Sequence, residues 1–195
     1  MLKALVAILG AAIVIALVVY YLRSRGRSAP KQSPTEEKSY PAPVPTYVDL
    51  RNQVFHGVRE HLQLPPDFDP TEPFAVVMDW GSEPGVVTVV ALEDGTASIY
   101  YSSGGGMIGG SQSYESIRAA AKLAVSEAAR CRHQMTLTTT FPTPCRGQVY
   151  FYALTDSGTY FATGTQQELE ENRHPLSGLG NAMQTIISAY DASDK

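Results

Sequence analysis

The sequence contains few of the residues that build catalytic or metal centres. Only two cysteines, Cys131 and Cys145, and four histidines occur among 195 residues. The cysteines lack C-x-x-C spacing and form no disulfide framework. His56 and His61 are five residues apart, so they do not share a helix face as a metal-binding pair does. A G-x-S-x-G motif is also missing. We therefore predict no catalytic residue, no metal and no cofactor, and we place Cys131 in the core as a small apolar residue.

Positive charge is scarce over most of the chain. Residues 47–195 contain nine Lys and Arg against seventeen Asp and Glu, a net charge of −8, whereas residues 1–46 contain six against two, a net charge of +4. Nucleic-acid binding needs clustered Lys and Arg for phosphate contacts. The acidic part is therefore not expected to bind nucleic acid, and an anionic bilayer surface would repel it.

One long run carries no charge at all. Ala4–Leu22 comprises 19 uncharged residues and would be about 28 Å long as a helix, close to the thickness of a bilayer core. The run exceeds the apolar core of a signal peptide, and no small-x-small cleavage site follows it. Arg23, Arg25 and Arg27 follow the run, and such residues are retained on the cytoplasmic side. We predict a single-pass membrane protein with an anchor and basic flank at 1–27, bilayer contact through residues 4–22, and a cytoplasmic soluble domain.

Proline dominates the next segment. Residues 28–46 contain five prolines and almost no large apolar side chain, so they cannot form a core. This composition predicts a linker that spans about 3.1 Å per residue in its polyproline stretches. An SH3-like ligand in the PAPVP sequence is the alternative. Residues 47–195 are long enough for one soluble domain with its own core.

Hydrophobic periodicity predicts an α+β domain in this last part. A helix over 47–63 has an apolar stripe of Leu50, Val54, Val58 and Leu62. Further helices are predicted over 114–132, 166–173, which opens with a Thr165–Glu168 capping box, and from Pro175 to about Tyr190. Six strands are predicted over 74–80, 86–92, 96–102, 135–141, 148–154 and 159–163.

The resulting order is α-βββα-βββα, with a mostly antiparallel sheet of five or six strands packed by helices. The runs 86–92 and 149–154 are almost continuously apolar, which is typical of strands covered on both faces. Residues 85–94 align without gaps on 147–156, an offset of 62, and this predicts an internal duplication, with chance recurrence of a hairpin as the alternative. The element order resembles that of profilin-like and roadblock/longin-type modules, and this resemblance implies a protein-interaction or scaffold role.

A glycine-rich segment between a strand and a helix is the main candidate site. Glycine allows a ligand to approach the backbone closely, and the following helix start can hold an anion. The residues predicted to bind a small anion or nucleotide are Gly104, Gly105, Gly106, Gly109, Gly110, Ser111 and Arg118. The alternative is a turn without a ligand. Asp79 and Trp80 lie at the end of one strand. Either both side chains line a pocket, or Trp80 is buried and caps the sheet.

Two functions follow from these observations. The first is a membrane-anchored protein that displays a non-enzymatic interaction domain to a protein partner or to another copy of itself. The second is an anion- or nucleotide-binding domain that uses residues 104–110. The sequence does not decide whether the chain is an enzyme.

Overall fold

The computed structural model describes residues 40–109 and 114–193. Contacts divide the chain into Met1–Lys38 and Ser39–Lys195, and the described residues all belong to the second unit. The predicted anchor at 4–22, the basic flank to residue 27 and linker residues 28–39 lie outside the described residues, as do Gly110 and Ser111. Within the described ranges, no helix is both long and apolar enough to cross a membrane.

The described residues form an α+β domain with four α-helices and seven strands. The helices are α1 (Pro45–His61), α2 (Glu115–Cys131), α3 (Gln166–Glu170) and α4 (Ser177–Ser193), and a 3-10 turn, Arg132–Gln134, follows α2. The strands are β1 (Ala75–Gly81), β2 (Val86–Leu92), β3 (Ala97–Tyr101), β4 (Gly106–Ile108), β5 (Thr136–Thr138), β6 (Gln148–Thr155) and β7 (Gly158–Thr165). The capping box at the start of α3 is present, with Thr165 and Glu168 satisfying each other's backbone N–H groups.

All seven strands belong to one antiparallel sheet in the order β4-β3-β2-β1-β6-β7-β5. The prediction of five or six strands is therefore corrected to seven. The additional strand, β4, lies inside the glycine-rich segment and pairs with β3. Of the strand predicted over 135–141, only Thr136–Thr138 pairs in the sheet, as β5. Directly after it, the Thr138 hydroxyl donates to the Thr140 carbonyl and accepts from the Thr140 N–H, which are local bonds rather than ladder bonds.

Helices cover the sheet on both faces. Val76 and Met78 of β1 belong to the core that packs against α2 and α4, while Ala75 and Val77 belong to the core beneath α1. This explains why the central strands are almost continuously apolar, as predicted. Four alanines of α2 are buried, so its backbone can lie close to the sheet: Ala120, Ala121, Ala124 and Ala128.

The 62-residue offset relates elements but not the whole arrangement. It places β2 on the first seven residues of β6 and α2 on α4 with the same bounds. Both β2 and β6 pair with β1, and the equivalent residues Val89 and Phe151 face the same core. However, β3 follows β2 toward one edge of the sheet, whereas β7 follows β6 toward the other edge. A movement that carries β2 onto β6 therefore does not carry β3 onto β7. A common origin of the two halves stays a prediction.

Candidate functional site

The glycine-rich segment turns the chain from β3 into β4. Gly104, Gly105 and Gly106 have φ values of +103°, +83° and +147°, which side chains other than glycine rarely adopt. A Cβ on Gly106 would overlap the carbonyl oxygen of Ile99 on the neighbouring strand. Glycine at these positions is thus explained by backbone geometry and by strand pairing, without a ligand.

The described residues of the predicted anion site are divided between the two ends of β3. Gly104 is at the end of β3 next to Val44, whereas the Arg118 side chain packs against Gly95 at the beginning of that strand. β3 has five residues, so its two ends are about 13 Å apart. Arg118 also forms an ion pair with Glu115 at 3.4 Å. Gly109 lies at the Arg118 end of β3, because its N–H donates to the Ala97 carbonyl at 3.1 Å. Arg118 is therefore distant from Gly104, Gly105 and Gly106 only, and anion binding by this segment stays a prediction.

Two alanine substitutions separate the backbone role from a ligand role. We expect Gly106→Ala to lower the free energy of unfolding by about 2–4 kcal/mol, because it combines an overlap with Ile99 and a strained φ. Gly105→Ala has no neighbour within 4 Å, so only its strain, about 1 kcal/mol, is expected. Urea unfolding of the full chain in micelles measures both. A thermal shift with phosphate that Gly105→Ala removes would contradict this account and support a ligand.

A buried polar cluster lies on the other side of the sheet, beneath α1. Asp79 is on the central strand β1 and is 0% exposed. Its Oδ2 accepts hydrogen bonds from Arg51 Nη2 at 2.6 Å and Nε at 3.1 Å, and its Oδ1 accepts one from the Thr88 hydroxyl at 2.5 Å. The Tyr47 hydroxyl lies 2.9 Å from that of Thr88. The cluster therefore joins the first helix to the centre of the sheet.

Arg51 also holds the chain that leads into β6. Its Nη1 donates to the Phe141 carbonyl at 2.9 Å and its Nη2 donates to the Pro142 carbonyl at 3.1 Å. The Tyr152 hydroxyl donates to the same Pro142 oxygen at 2.6 Å. One guanidinium thus connects a helix, a strand and a loop that are distant in sequence.

Burial controls the titration of this cluster. It raises the pKa of the Asp79 carboxyl, while the Arg51 charge and the hydrogen bonds from Arg51 and Thr88 oppose that rise. Burial also raises the pKa of Tyr47 to about 12, and the negative charge of Asp79 adds to the effect. Tyr47 is consequently neutral at physiological pH. The completed hydrogen bonds and low exposure indicate a structural role for the cluster.

Asp79 and Trp80 do not share a pocket, because neighbouring strand residues face opposite sides of a sheet. Trp80 lies on the α4 side and is half-buried, with its Nε1 donating to Gln166 Oε1 at 3.0 Å. Gln166 Nε2 in turn donates to Glu170 Oε1 at 2.7 Å. The interpretation of Trp80 as a buried cap on the sheet is therefore only partly right, since the ring borders an open cleft.

This opening, the Trp80 cleft, lies between the sheet and the helices α3 and α4. Its volume is about 140 Å³. Its floor is formed by four buried residues, Met78, Val149, Leu169 and Gly180. Trp80, Gln166 and Glu170 form part of its rim. The cleft is apolar at its base and polar at its mouth, a composition suited to an apolar group with a polar or charged neighbour.

The two outer strands of the sheet are also candidate contact regions. β4 and β5 have three residues each and contain no charged side chain. Ile108 on β4 is 66% exposed and Leu137 on β5 is 65% exposed. Short strands limit unwanted edge pairing, but charged residues, another common protection, do not occur in either strand.

The cysteines and histidines form no metal centre in the part of the chain that the structure describes, where no three His, Cys, Asp or Glu residues are grouped suitably. Cys131 is buried in the core, as predicted, and burial raises the pKa of its thiol to about 11. Cys145 is exposed. The raised pKa makes the Cys131 thiol a poor nucleophile.

Comparison with known proteins gives no relative for this chain: no family model, no curated protein and no solved structure matches it. The resemblance in element order to profilin-like and roadblock/longin-type modules therefore stays a prediction. Functional inference rests on the surface of the domain itself.

Proposed function

We propose that this chain is a single-pass membrane protein that displays a non-enzymatic interaction domain, residues 47–195, on the cytoplasmic face. The uncharged run Ala4–Leu22 has the length of a bilayer span, and the arginines after it favour a cytoplasmic location for the following part. The proline-rich linker keeps the acidic domain at a distance from the lipid surface.

The observation that carries the proposal is the pair of uncharged outer strands with exposed Ile108 and Leu137. The outer edge of a sheet can bind a further strand through backbone hydrogen bonds, and exposed side chains on the edge strand add specificity. An apolar side chain on each edge strand suits recognition of a protein segment. The buried carboxylate of Asp79, in contrast, is occupied by Arg51 and Thr88.

The proposal is tested with the full chain expressed in membranes and cross-linked before purification. We expect the wild type to remain in the membrane fraction after carbonate extraction and to cross-link to a specific protein or to a second copy. Leu137→Lys or Ile108→Lys should remove that product, because an added strand would have to bury the new lysine at the edge.

Leu123→Lys is the matched control, since Leu123 is 48% exposed but lies on α2 rather than on an outer strand. This variant should retain the cross-linked product. Release of the chain by carbonate would refute the anchor. A product that both edge variants retain in full would refute recognition at the edges.

A further inference from the structure

The Trp80 cleft is independent of the sheet edges and has the size of one side chain. A cavity of roughly 150 Å³ lined by apolar groups is enough to hold benzene. The Trp80 cleft has about 140 Å³ and an apolar floor that includes Met78 and Leu169. A phenylalanine ring or a leucine side chain would therefore fill it and remove both surfaces from water.

Among the described residues that line the cleft, the one charged side chain is Glu170, which is exposed at the rim. Glu168 lies in the same short helix. Glu171 follows this helix and is paired with Arg173. No Lys or Arg is among the residues that line the cleft. The net charge of −8 over residues 47–195 extends this preference to longer range. A cationic segment is the complementary partner.

We propose that the Trp80 cleft binds one apolar side chain, of phenylalanine or leucine size, on a Lys- or Arg-flanked segment of another protein. The chain's own linker does not supply such a group, since residues 28–39 contain no large apolar side chain. The apolar side chain enters between α3 and α4 and contacts the Trp80 ring. The flanking cations lie at the rim near Glu170.

Trp80 is the single tryptophan of the chain, so its fluorescence reports on this cleft alone. The full chain in nonionic micelles is titrated with acetyl-Lys-Lys-Phe-Lys-Lys-amide, and with versions in which alanine replaces phenylalanine or glutamate replaces every lysine. We expect saturable changes in Trp80 emission with the first peptide. Binding should be at least tenfold weaker without the ring and at least about threefold weaker with the acidic flanks. Equal binding of all three peptides would overturn the proposal.

Variants of the rim and floor locate the binding. Glu170→Lys should weaken binding of the phenylalanine peptide severalfold and reduce its dependence on salt. Glu171→Lys is the matched control and should change it little, because Glu171 is not a lining residue and already pairs with Arg173. Gly180→Ala places a Cβ 3.4 Å from Leu169 Cδ2, an ordinary contact that reduces the cleft without a clash. It should weaken binding about threefold. Unchanged affinity in both Glu170→Lys and Gly180→Ala would refute the site.

Two other occupants give different results. Trp80 emission that shifts with protein concentration, before any peptide is added, would identify a second copy in the cleft and overturn the proposal. Trp80 emission that does not respond to peptide but changes when Arg23, Arg25 and Arg27 are replaced by glutamine would identify the chain's own basic flank as the occupant. That result would also overturn the proposal. The peptide titration does not depend on the edge strands. If the cross-linking experiment under the proposed function fails, the titration therefore still tests the Trp80 cleft.

Discussion

Replacing Arg51 by methionine is expected to lower the free energy of unfolding by about 3–5 kcal/mol, a large part of the stability of a domain of this size. The substitution keeps most of the aliphatic volume but removes the charge beside Asp79, which is 0% exposed. The carboxylate would then be left in the core with the Thr88 hydroxyl as its remaining donor among the hydrogen bonds described above. The Phe141 and Pro142 carbonyls would also lose a donor.

Urea unfolding of the full chain in micelles, followed by Trp80 emission, measures this effect. Arg59→Met is the control, because Arg59 forms an exposed ion pair with Asp156 at 2.6 Å. Exposed ion pairs contribute little, so this variant should unfold close to the wild type.

A double substitution identifies the physical cause. Arg51→Met combined with Asp79→Leu removes both charges together and should recover much of the lost stability, since apolar pairs often replace buried ion pairs at little cost. A double variant as unstable as Arg51→Met alone would contradict the explanation by an unpaired charge. The loss would then be due to packing or to the carbonyls of the β6 approach.

The same cluster shows where prediction from sequence ends. The central strands and the two long helices could be predicted because each has a local signal, either a continuous apolar run or a repeat of three to four residues. In α1 the repeat suggested a stripe of Leu50, Val54, Val58 and Leu62. Val54 and Leu62 are buried, and Leu50 and Val58 pack partly buried against the same core. The repeat did not indicate Tyr47 and Arg51, which are buried as well. An arginine can face a core when a carboxylate is there to receive it, and Asp79 is 28 residues away, beyond any local pattern.

The positions of the candidate site residues depend on similar long-range contacts. The glycines were correctly placed at a strand end, but the position of Arg118 depends on how α2 packs, which places it beside Gly95. The Trp80 cleft joins residues of β1, β6, α3 and α4. The only local signal for it was a tryptophan at the end of a strand. The outer strands were hard to predict because three-residue strands such as β4 depend on a neighbouring strand rather than on their own periodicity.

Phe151→Ala is expected to lower the free energy of unfolding by about 3–5 kcal/mol, because it leaves a cavity that surrounding elements cannot fill. Phe151 is 0% exposed on the face of β6 toward α4, where its ring lies 3.7 Å from the position of a Cβ on Gly180. Phe161 is the matched control, since it is half-buried on the opposite face of the sheet and packs against Tyr150 and Tyr152.

Phe161→Ala should cost clearly less than Phe151→Ala, because part of the ring is already in water and the remaining site can relax toward solvent. The free energy of unfolding of each variant is measured by urea denaturation. Equal slopes of that free energy against urea concentration are the check on two-state behaviour. Equal losses of stability would mean that the surroundings of Phe161 are packed as tightly as the core beneath α4. We expect the core on the α2 and α4 side to be the more tightly packed, because residues such as Met183 and Ile186 are completely buried there. Equal losses would contradict that expectation.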